Sequence, residues 1–379
     1  MSARRGTIIA GGGTGGHIVP SLQVARALVA RGHAPESVEL YGSRRGQEAT
    51  TWPMLEFPYT LLPGRGIRRS LQPEACMVNA GAVAGLLWAC LRALGSFVVR
   101  RPRVVVMVGG YASFPAGLAA VVTRVPLVSV TTDAVPGAAN RLLGRFAAAN
   151  AVAFEGTGLP RAYVTGTPVW PELRSLDRST RGRAQGRSDL GLPADRDTVV
   201  AMGGSLGALR INRAVAQLAE DWPGGEGRTV YQVAGRRDYE TFARNGAGAE
   251  EGQSDSALHY RVVPFEEHMP DLYAAADVCI ARAGAMTVAE LLVTAVPAIL
   301  VPLPGAPRDH QSRNAEALAG LGVAVVVPDH ECNGARLAKE LDALFSDPQR
   351  LRAMSEAARR HRHADAAQRV AELVDAHAR

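Results

Sequence analysis

Apolar runs rich in β-branched residues recur along the first half of the chain, with helical patterns between them. They lie at 7–10, 38–41, 104–108, 127–130 and 151–154. Strands that alternate with helices in this way are typical of a parallel sheet covered on both faces. The first helical pattern carries Leu22, Leu28 and Val29 and ends at Gly32, a residue suited to a helix C-terminus. This half is therefore predicted to be an α/β domain.

The second half repeats the pattern and closes with a helical pattern after Pro348. Its apolar runs lie at 199–202, 230–233, 260–263, 278–281, 298–301 and 324–327. Between the halves, residues 171–188 contain Pro, Ser, Gly and five arginines, which is typical of an exposed connection. We therefore predict domains at 1–165 and 191–360, a linker at 166–190, and a C-terminal helix at 361–379 that packs back on the first domain.

The composition is that of a folded protein with a basic surface. Hydrophobic residues make up 47% of the 379 residues and charged residues 21%, which argues against disorder. The net charge of +6 favours anionic partners, and nucleic acid, acidic lipid headgroups and phosphorylated substrates all satisfy that preference. The four cysteines lack metal-ligand spacing, which favours free thiols in a reducing compartment, and no export signal is expected at the N-terminus.

The stretch 75–91 contains no charged residue. It is shorter than the roughly 20 apolar residues that a membrane-spanning helix needs, so we do not expect it to cross a bilayer. Two structures fit it: a helix that inserts apolar residues into a membrane interface while arginines contact acidic headgroups, or a helix buried in the core. The flanking arginines are Arg68, Arg69, Arg92, Arg100, Arg101 and Arg103.

Two glycine-rich loops each follow an apolar run and each precede a helical pattern. The first reads Gly-Gly-Gly-Thr-Gly-Gly-His over 11–17, and the second reads Gly-Gly-Ser-Leu-Gly-Ala over 203–208. A strand, a tight glycine turn and a helix leave backbone N–H groups free at the positive end of the helix dipole. We therefore predict that both loops are sites where a phosphate or another anion settles.

A third loop, Gly-Gly-Tyr-Ala-Ser-Phe-Pro over 109–115, follows the buried run 104–108. Because open α/β sheets bind ligands beyond the carboxyl ends of their strands, the first and third loops should line one wall of a common cleft. The spacing of Gly11, Gly13 and Gly16 also matches a dinucleotide fingerprint, with Glu36 or Glu39 as the ribose ligand. A nicotinamide enzyme, however, does not need a second glycine loop in its other half.

Two further segments complete an ordered set of motifs: Arg-Ala-Gly-Ala-Met-Thr-Val-Ala-Glu over 282–290, and Pro-Leu-Pro-Gly-Ala-Pro-Arg-Asp-His-Gln-Ser-Arg-Asn-Ala over 302–315. With the three glycine loops and the Gly-Thr-Pro-Val turn over 166–169, the chain resembles the MurG family of peptidoglycan glycosyltransferases. The resemblance covers essentially the whole chain, and the motifs occur in the family's order.

The resemblance implies an α/β protein of the GT-B fold, with two Rossmann-like domains whose parallel sheets face an interdomain cleft. Such an enzyme moves N-acetylglucosamine, with inversion, from UDP-N-acetylglucosamine to the muramic 4-hydroxyl of lipid I, and so makes lipid II for the cell wall. The first domain would bind the acceptor and an anionic membrane surface at the cytoplasmic face, and the second would bind the UDP-sugar. No cofactor, metal or nucleic acid is implied.

The donor chemistry agrees with the residues. Without a DxD-type metal motif, backbone N–H groups, a helix dipole and hydroxyls must neutralise the leaving diphosphate, and Gly284–Thr287 with Ser205 offers them. Glu290 lies one helical turn after Thr287 and can accept from the ribose hydroxyls, or else it is a capping or solvated residue. The resemblance assigns Gln311 and Asn314 to the donor sugar. The implied donor set also includes Glu266, Ala285, Met286, Val288 and Ala289.

On the acceptor side, His17 stands where the first glycine loop becomes a helix. Imidazole titrates near neutral pH, so His17 is a candidate base for the acceptor hydroxyl; alternatively it caps the loop or binds the acceptor phosphate. The resemblance places Thr14, Gly15 and Gly16 in the loop around the acceptor and the donor sugar, and the implied substrate-binding set also includes Gly110 and Tyr111.

Two departures from the family pattern affect candidate site residues. Asp133 replaces the usual asparagine and would act as an alternative base or repel the acceptor diphosphate. Trp170 replaces an arginine that contacts the donor; it can stack but cannot donate a bidentate pair. These changes support one rival, a glycosyltransferase with another polyprenyl or phosphoglycolipid acceptor. Two further rivals stay open: a UDP-sugar epimerase on the same two-domain frame, and a catalytically silent UDP-sugar or lipid-binding protein.

Overall fold

A computed structural model of the chain describes residues 6–63, 73–204, 207–246 and 257–379, with the side chains of 73–78, 80 and 244–246 left undescribed. The described chain divides into two compact units. The first comprises the residues up to Trp170 together with His363–Arg379, and the second comprises Pro171–Arg362.

The first unit contains a parallel sheet in the order β3-β2-β1-β4-β5-β6-β7, over the described residues. Successive residues of β1 alternate between two apolar cores, so that Ile9 belongs to one core and Ile8 to the other, which is why these runs are apolar throughout. The predicted parallel sheet is confirmed. Its strands are β1 Thr7–Gly11, β2 Val38–Ser43, β3 Tyr59–Leu62, β4 Val104–Gly109, β5 Leu127–Thr131, β6 Ala149–Val152 and β7 Ala162–Val164.

The apolar runs do not predict two strands of this sheet, and a third strand begins earlier than its apolar run. Both missed strands, β3 and β7, are short and lie at the edges of the sheet, where Tyr59 and Tyr163 are exposed. An edge strand buries little, so its sequence does not show a continuous apolar run. The run predicted at 151–154 begins two residues earlier in the structure, at Ala149, because Ala149 and Asn150 are buried although neither is β-branched.

Helices cover both faces of the first sheet. One core lies under α1, and α3 and α4 pack over the other. The helix α3 extends beyond the uncharged stretch, and its segment Gly81–Arg100, with a mean hydropathy of 1.8, is long and apolar enough to cross a membrane by length and composition. The helices are α1 Gly15–Ala30, α2 Glu48–Thr51, α3 Pro73–Arg100, α4 Phe114–Thr123 and α5 Ala138–Leu143.

The second unit contains a parallel sheet in the order β10-β9-β8-β11-β12-β13, over the described residues. All its strands coincide with predicted runs to within two residues at each end. The strands are β8 Asp197–Met202, β9 Arg228–Val233, β10 His259–Val263, β11 Val278–Ala281, β12 Ala298–Leu300 and β13 Ala324–Val326. The helices are α6 Pro171–Arg174, α7 Thr180–Asp189, α8 Leu209–Glu220, α9 Tyr239–Gly246, α10 Met269–Ala275, α11 Ala285–Thr294, α12 His310–Gly320, α13 Gly334–Phe345 and α14 Pro348–His361.

Residues 171–190 are part of the second unit, not the exposed linker that we predicted over 166–190. The helix α7 packs against α10. Arg187, only 6% exposed, places Nη2 2.6 Å from Asp277 Oδ2 and donates from Nη1 to the carbonyl of Ala194 at 3.0 Å. The arginine-rich composition suggested solvent exposure, but a guanidinium is buried where a carboxylate and carbonyls satisfy it.

The last helix, α15 Ala366–His377, lies in the first unit and packs against α1. Val370 and Val374 belong to the same core as Leu22 and Leu28 of α1. Asp375 accepts from Arg31 Nε at 2.7 Å and lies 2.8 Å from His33 Nε2, which ties the end of α15 to the end of α1.

Both sheets reverse their strand order next to their first strand, between β1 and β4 in one unit and between β8 and β11 in the other. The crevice beyond the carboxyl ends of strands at such a point is the usual ligand site of an open α/β sheet. The glycine loops that follow β1, β4 and β8, and the segment that precedes α11, all lie at these two positions.

Candidate active site

The first glycine loop joins β1 to α1, and its backbone lies close to neighbouring side chains. A Cβ atom on Gly11 would overlap the Ser21 hydroxyl, and one on Gly12 would overlap the carboxylate of Glu48. The loop therefore needs glycine at both positions. Thr14 precedes α1 in an extended conformation, and its side chain makes no capping hydrogen bond among the described residues.

A buried carboxylate occupies one amide of this loop. Glu48, wholly buried, accepts from Gly13 N–H and from Ser43 N–H, each at 2.8 Å. The prediction that the loop presents free N–H groups to an anion is therefore wrong at Gly13. Sequence reasoning missed Glu48 because it lies 35 residues after Gly13, on a four-residue helix that no periodicity marks.

The imidazole of His17 lies against the third loop. A Cβ on Gly109, where φ is +119°, would lie 3.0 Å from His17 Nε2, and one on Gly110 would lie 3.2 Å from His17 Nδ1. Thr14 Oγ1 lies 3.4 Å from His17 Nδ1. The structure thus brings His17, Thr14 and Gly110 together at the ends of β1 and β4.

Tyr111 joins this cluster from the other side of the loop. Its hydroxyl donates to Ser43 Oγ at 3.0 Å, and its ring would lie 3.4 Å from a Cβ on Gly13. Gly15 and Gly16 form the first residues of α1, and their surroundings are open: a Cβ on Gly15 would meet nothing within 4 Å. The acceptor-side residues predicted from the sequence therefore form one cluster within the first unit.

Asn140 is a further polar residue of this cluster that sequence reasoning did not single out. Its Nδ2 donates to Val130 O at 2.7 Å and to Thr131 Oγ1 at 3.0 Å. Its Oδ1 is buried with no hydrogen-bond partner among the described residues, and it would lie 3.6 Å from a Cβ on Gly109. A buried acceptor beside the His17 loop is a group that a substrate hydroxyl or a water can satisfy. The sequence signal was its position beyond the carboxyl end of β5, within a segment, 135–141, that fits the family pattern.

The two residues that depart from the family pattern have different surroundings. Asp133 is half-buried in the loop that follows β5. The neighbouring strand in the sheet is β4, which the third glycine loop follows. Trp170 packs against the core of the first unit that includes residues of α1 and α15, and the guanidinium of Arg26 lies 5.9 Å from its ring centroid. Trp170 therefore has a packing role within its own unit, which explains an aromatic side chain at this position.

In the second unit, the glycine loop after β8 turns through two left-handed residues. Gly204 and Gly207 have φ values of +82° and +79°, and a Cβ on Gly207 would overlap the carbonyl oxygen of Ala234. Asn212 of α8 donates to the same carbonyl at 2.8 Å, which fixes the turn. Ser205, the predicted hydroxyl donor of this loop, lies outside the described residues.

The start of α11 has no side-chain cap among the described residues. Gly284 is extended, and a Cβ on Gly284 would meet nothing nearer than Thr287 Oγ1 at 3.9 Å. The amides of Ala285, Met286 and Thr287 have no partner within the helix by geometry. The segment before the helix is held by Arg282, whose Nη1 lies 2.6 Å from Asp329 Oδ1 and donates to the carbonyl of Val301 at 3.0 Å.

Glu290 lies one turn further along α11 and is half-buried. The hydroxyl of Tyr273, itself wholly buried, donates to Glu290 Oε2 at 2.8 Å. Burial raises the pKa of Glu290 to about 7, and the Tyr273 hydrogen bond opposes this shift. Glu290 is therefore neither a capping nor a solvated glutamate, and its protonation state changes near neutral pH.

The remaining predicted donor residues divide into two groups. Gln311 is half-buried, and its Oε1 accepts from Leu303 N–H at 2.9 Å, so its NH₂ group is the part with hydrogens to offer a ligand. Glu266 accepts from Tyr231 Oη at 2.7 Å and from His268 N–H at 2.7 Å, after the end of β10. Glu266 lies in the loop after β10, and Gln311 lies in the first turn of α12, which follows β12.

Three predicted donor residues face the protein interior. Asn314 is wholly buried and donates from Nδ2 to Ala283 O at 3.0 Å, so the prediction that its amide contacts the donor sugar is wrong; it supports the segment before α11. Val288 and Ala289 are 1% and 8% exposed, because these positions form the core-facing side of α11. Val288 N–H also donates to Gly284 O at 2.9 Å and is not available to a ligand.

Comparison with known proteins gives consistent similarities along the chain. Residues 7–152 match the glycosyltransferase family 28 N-terminal domain, and residues 198–370 match its C-terminal domain. The chain is 38% identical to the UDP-N-acetylglucosamine–N-acetylmuramyl-(pentapeptide) pyrophosphoryl-undecaprenol N-acetylglucosamine transferase of Alkalilimnicola ehrlichii, over 97% of each chain. It is 35% identical to the protein of the same name from Desulforudis audaxviator, over 93% of each. The crystal structure of Acinetobacter baumannii MurG superposes with a TM-score of 0.77, at 28% identity, over 98% of this chain and 99% of that one.

Proposed function

This chain belongs to glycosyltransferase family 28, and on that premise we propose that it transfers N-acetylglucosamine from UDP-N-acetylglucosamine to the N-acetylmuramyl-(pentapeptide) pyrophosphoryl-undecaprenol acceptor, lipid I. The two Rossmann-like units are those of the GT-B fold. The product is the lipid II precursor of peptidoglycan. The observation within the structure that carries the donor half is the uncapped, amide-rich start of α11 with Glu290 one turn beyond it.

In this proposal the second unit holds the donor. The amides of Ala285, Met286 and Thr287 and the Thr287 hydroxyl hold the diphosphate, at a helix start that carries about half a positive charge. Ionised Glu290 accepts from the ribose hydroxyls, and the NH₂ group of Gln311 donates to the sugar. Negative charge grows on the diphosphate as the glycosidic bond breaks, so these fixed dipoles stabilise the transition state more than the ground state. The proposal requires no metal ion.

The first unit holds the acceptor, with the cluster around His17 next to the attacking hydroxyl. In an inverting displacement, the 4-hydroxyl oxygen forms a bond to the anomeric carbon while the bond from that carbon to the β-phosphate oxygen breaks. The hydroxyl proton passes to His17, and UDP leaves with the electron pair. The open oxygen of Asn140 is a further acceptor of a hydrogen bond beside this cluster, and the carboxylate of Asp133, in the loop after β5, is a further candidate acceptor of the proton.

Transfer is tested with radiolabelled UDP-N-acetylglucosamine and a short-chain lipid I analogue. We expect label in the lipid fraction, at the same rate with and without EDTA, and none when the acceptor is omitted. Transfer to another polyprenyl phosphate-linked acceptor alone would favour the first rival. Release of an epimerised free sugar would favour an epimerase, and UDP binding without any transfer would favour a silent binding protein.

We also propose that the first unit docks on an anionic membrane surface at the cytoplasmic face, through α3. One face of this helix is buried in the unit's core at Ala82, Ala89, Ala93 and Phe97. A helix with one face in a protein core is not surrounded by lipid, which favours docking over crossing. The other face is exposed and apolar, with Val83, Leu87, Trp88, Leu91, Val98 and Val99 between 45% and 80% exposed.

Arginines lie on α3 and just after its C-terminal end. Arg92 is exposed within α3, and Arg101 and Arg103 are exposed just beyond its end, while Arg100 pairs with Glu39 at 2.7 Å. Arg68 and Arg69 lie outside the described residues. A basic residue near an anionic bilayer contributes about 1 kcal/mol, so apolar insertion and charge attraction act together.

Replacing both Leu87 and Trp88 by serine should weaken binding to anionic vesicles at least tenfold, because each side chain loses roughly 1.5–3 kcal/mol of apolar burial. The measurement is co-sedimentation with vesicles of phosphatidylglycerol and phosphatidylcholine, with soluble-acceptor turnover as the test of folding. Met54→Ser, at an 81% exposed apolar residue on another part of the unit, is the matched control. Unchanged sedimentation of the double variant would remove α3 as the docking surface.

A further inference from the structure

We infer that Glu48 is a positioning residue for the acceptor-side cluster: it sets the conformation of the first glycine loop and thereby the place of His17. The inference rests on the proposed function, since it assigns a role within that reaction. It concerns a residue that contacts neither substrate in the proposal, because its carboxylate is wholly buried beneath the loop.

The contacts of Glu48 join two loops that the sequence places far apart. Oε2 accepts from Gly13 N–H and Oε1 accepts from Ser43 N–H, both at 2.8 Å. Cβ atoms on Gly12 and Gly46 would both overlap this carboxylate, so the backbone closes around it on two sides. A buried carboxylate is costly unless it is fully hydrogen-bonded, so this arrangement fixes both amides relative to each other.

The fixed loop carries the rest of the cluster. Gly13 is followed by Thr14, which precedes α1, and the third residue of that helix is His17. Ser43 connects the carboxylate to the third loop, because its hydroxyl accepts from Tyr111, whose ring lies over Gly13. Glu48 therefore holds the ends of β1, β2 and β4 in one arrangement around the imidazole.

A second observation separates this role from simple stabilisation. The segment that carries Glu48 has its own anchor in Trp52, which is wholly buried in the core together with Phe57. The backbone near Glu48 should therefore keep its place when the carboxylate is changed. Glutamine keeps the shape of the side chain, but its NH₂ group must face one of the two amides, so one of the two hydrogen bonds is lost.

The test compares Glu48→Gln with two control variants. Glu36→Gln changes an exposed carboxylate that precedes β2, at the amino end of that strand, whereas Glu48 comes after its carboxyl end. Trp52→Phe removes buried volume next to Gly42 of β2 and leaves the carboxylate and its two amide partners unchanged. We expect Glu48→Gln to lower kcat about 100-fold, as a displaced reacting group does, with the Kd for UDP within twofold of wild type. Both controls should keep kcat within threefold.

Three outcomes would overturn the inference. The first is a Glu48→Gln kcat within threefold of wild type. The second is an equal loss of kcat in Trp52→Phe, since reduced stability would then explain both variants. The third is unchanged NMR shifts of the His17 ring in Glu48→Gln, assigned with His17→Gln and compared with Glu36→Gln. This last measurement needs no turnover, so it tests the positioning of His17 even if wild-type protein transfers no sugar, a result that would instead refute the proposed function.

Discussion

Replacing His17 by alanine is expected to lower kcat by about 10²–10⁴-fold, the range that a positioned general base contributes. The imidazole lies at the junction of the first and third glycine loops, within the unit proposed to hold the acceptor. Because the donor is proposed to bind the second unit, the Kd for UDP should stay within twofold. The measurements are steady-state kinetics with the lipid I analogue and calorimetric titration with UDP.

The matched control is His33→Ala, which removes an imidazole of the same unit that pairs with Asp375 away from the loops. It should leave kcat within threefold. If His17 instead binds the acceptor phosphate, the alanine variant will raise the KM for the acceptor and keep kcat. A variant with wild-type kcat and KM would exclude His17 from the reaction, and Asp133 would then be the next residue to test.

Replacing Glu290 by glutamine is expected to weaken UDP binding by about 1.5–3 kcal/mol at pH 8, roughly 10- to 150-fold in Kd, because a charged acceptor of the ribose hydroxyls is lost. The effect should depend on pH. Burial raises the pKa of Glu290 to about 7, so its carboxylate is ionised above that pH and protonated below it. The advantage of wild type over the variant should therefore shrink as pH falls through 7, by up to tenfold per unit.

The ratio of the two Kd values between pH 5.5 and 8.5 is the quantity to measure, because the phosphate of UDP titrates equally in both experiments. Glu316→Gln is the control, since Glu316 is an exposed carboxylate of α12 that pairs with Arg313. Its ratio to wild type should be flat and near one. A Glu290→Gln ratio that stays constant across this range would show that the carboxylate does not bind the ribose in its ionised form.

The strands predicted from the sequence agree best with the structure where the strands are most buried. Central strands such as β4 and β11 are buried on both faces, so their apolar runs predicted them almost residue for residue. The edge strands β3 and β7 left no such run. Residues 171–190 were misassigned for a related reason: composition reports the average environment of arginine, whereas Arg187 is buried by a specific partner, Asp277.

The candidate site shows the same division. The glycine motifs, Thr287 and Glu290 could be predicted as candidates because local rules connect a glycine turn, a helix start and a residue one turn on. Asn314 lies one turn from Gln311 as predicted, yet the fold buries it against Ala283. Helical spacing shows which side chains lie on the same face of a helix, but tertiary packing decides whether that face contacts a ligand or the core.

The sequence by itself determined two parallel α/β units and the position of their loops at the strand ends, because periodicity and turn chemistry are local properties. The ordered set of motifs gave the resemblance to the family. Only the tertiary structure decided which loop amides remain open. It placed Glu48 under Gly13 and left the start of α11 uncapped among the described residues. It also gave α3 one buried and one exposed apolar face. These outcomes depend on contacts between segments distant in sequence, and no local pattern encodes them.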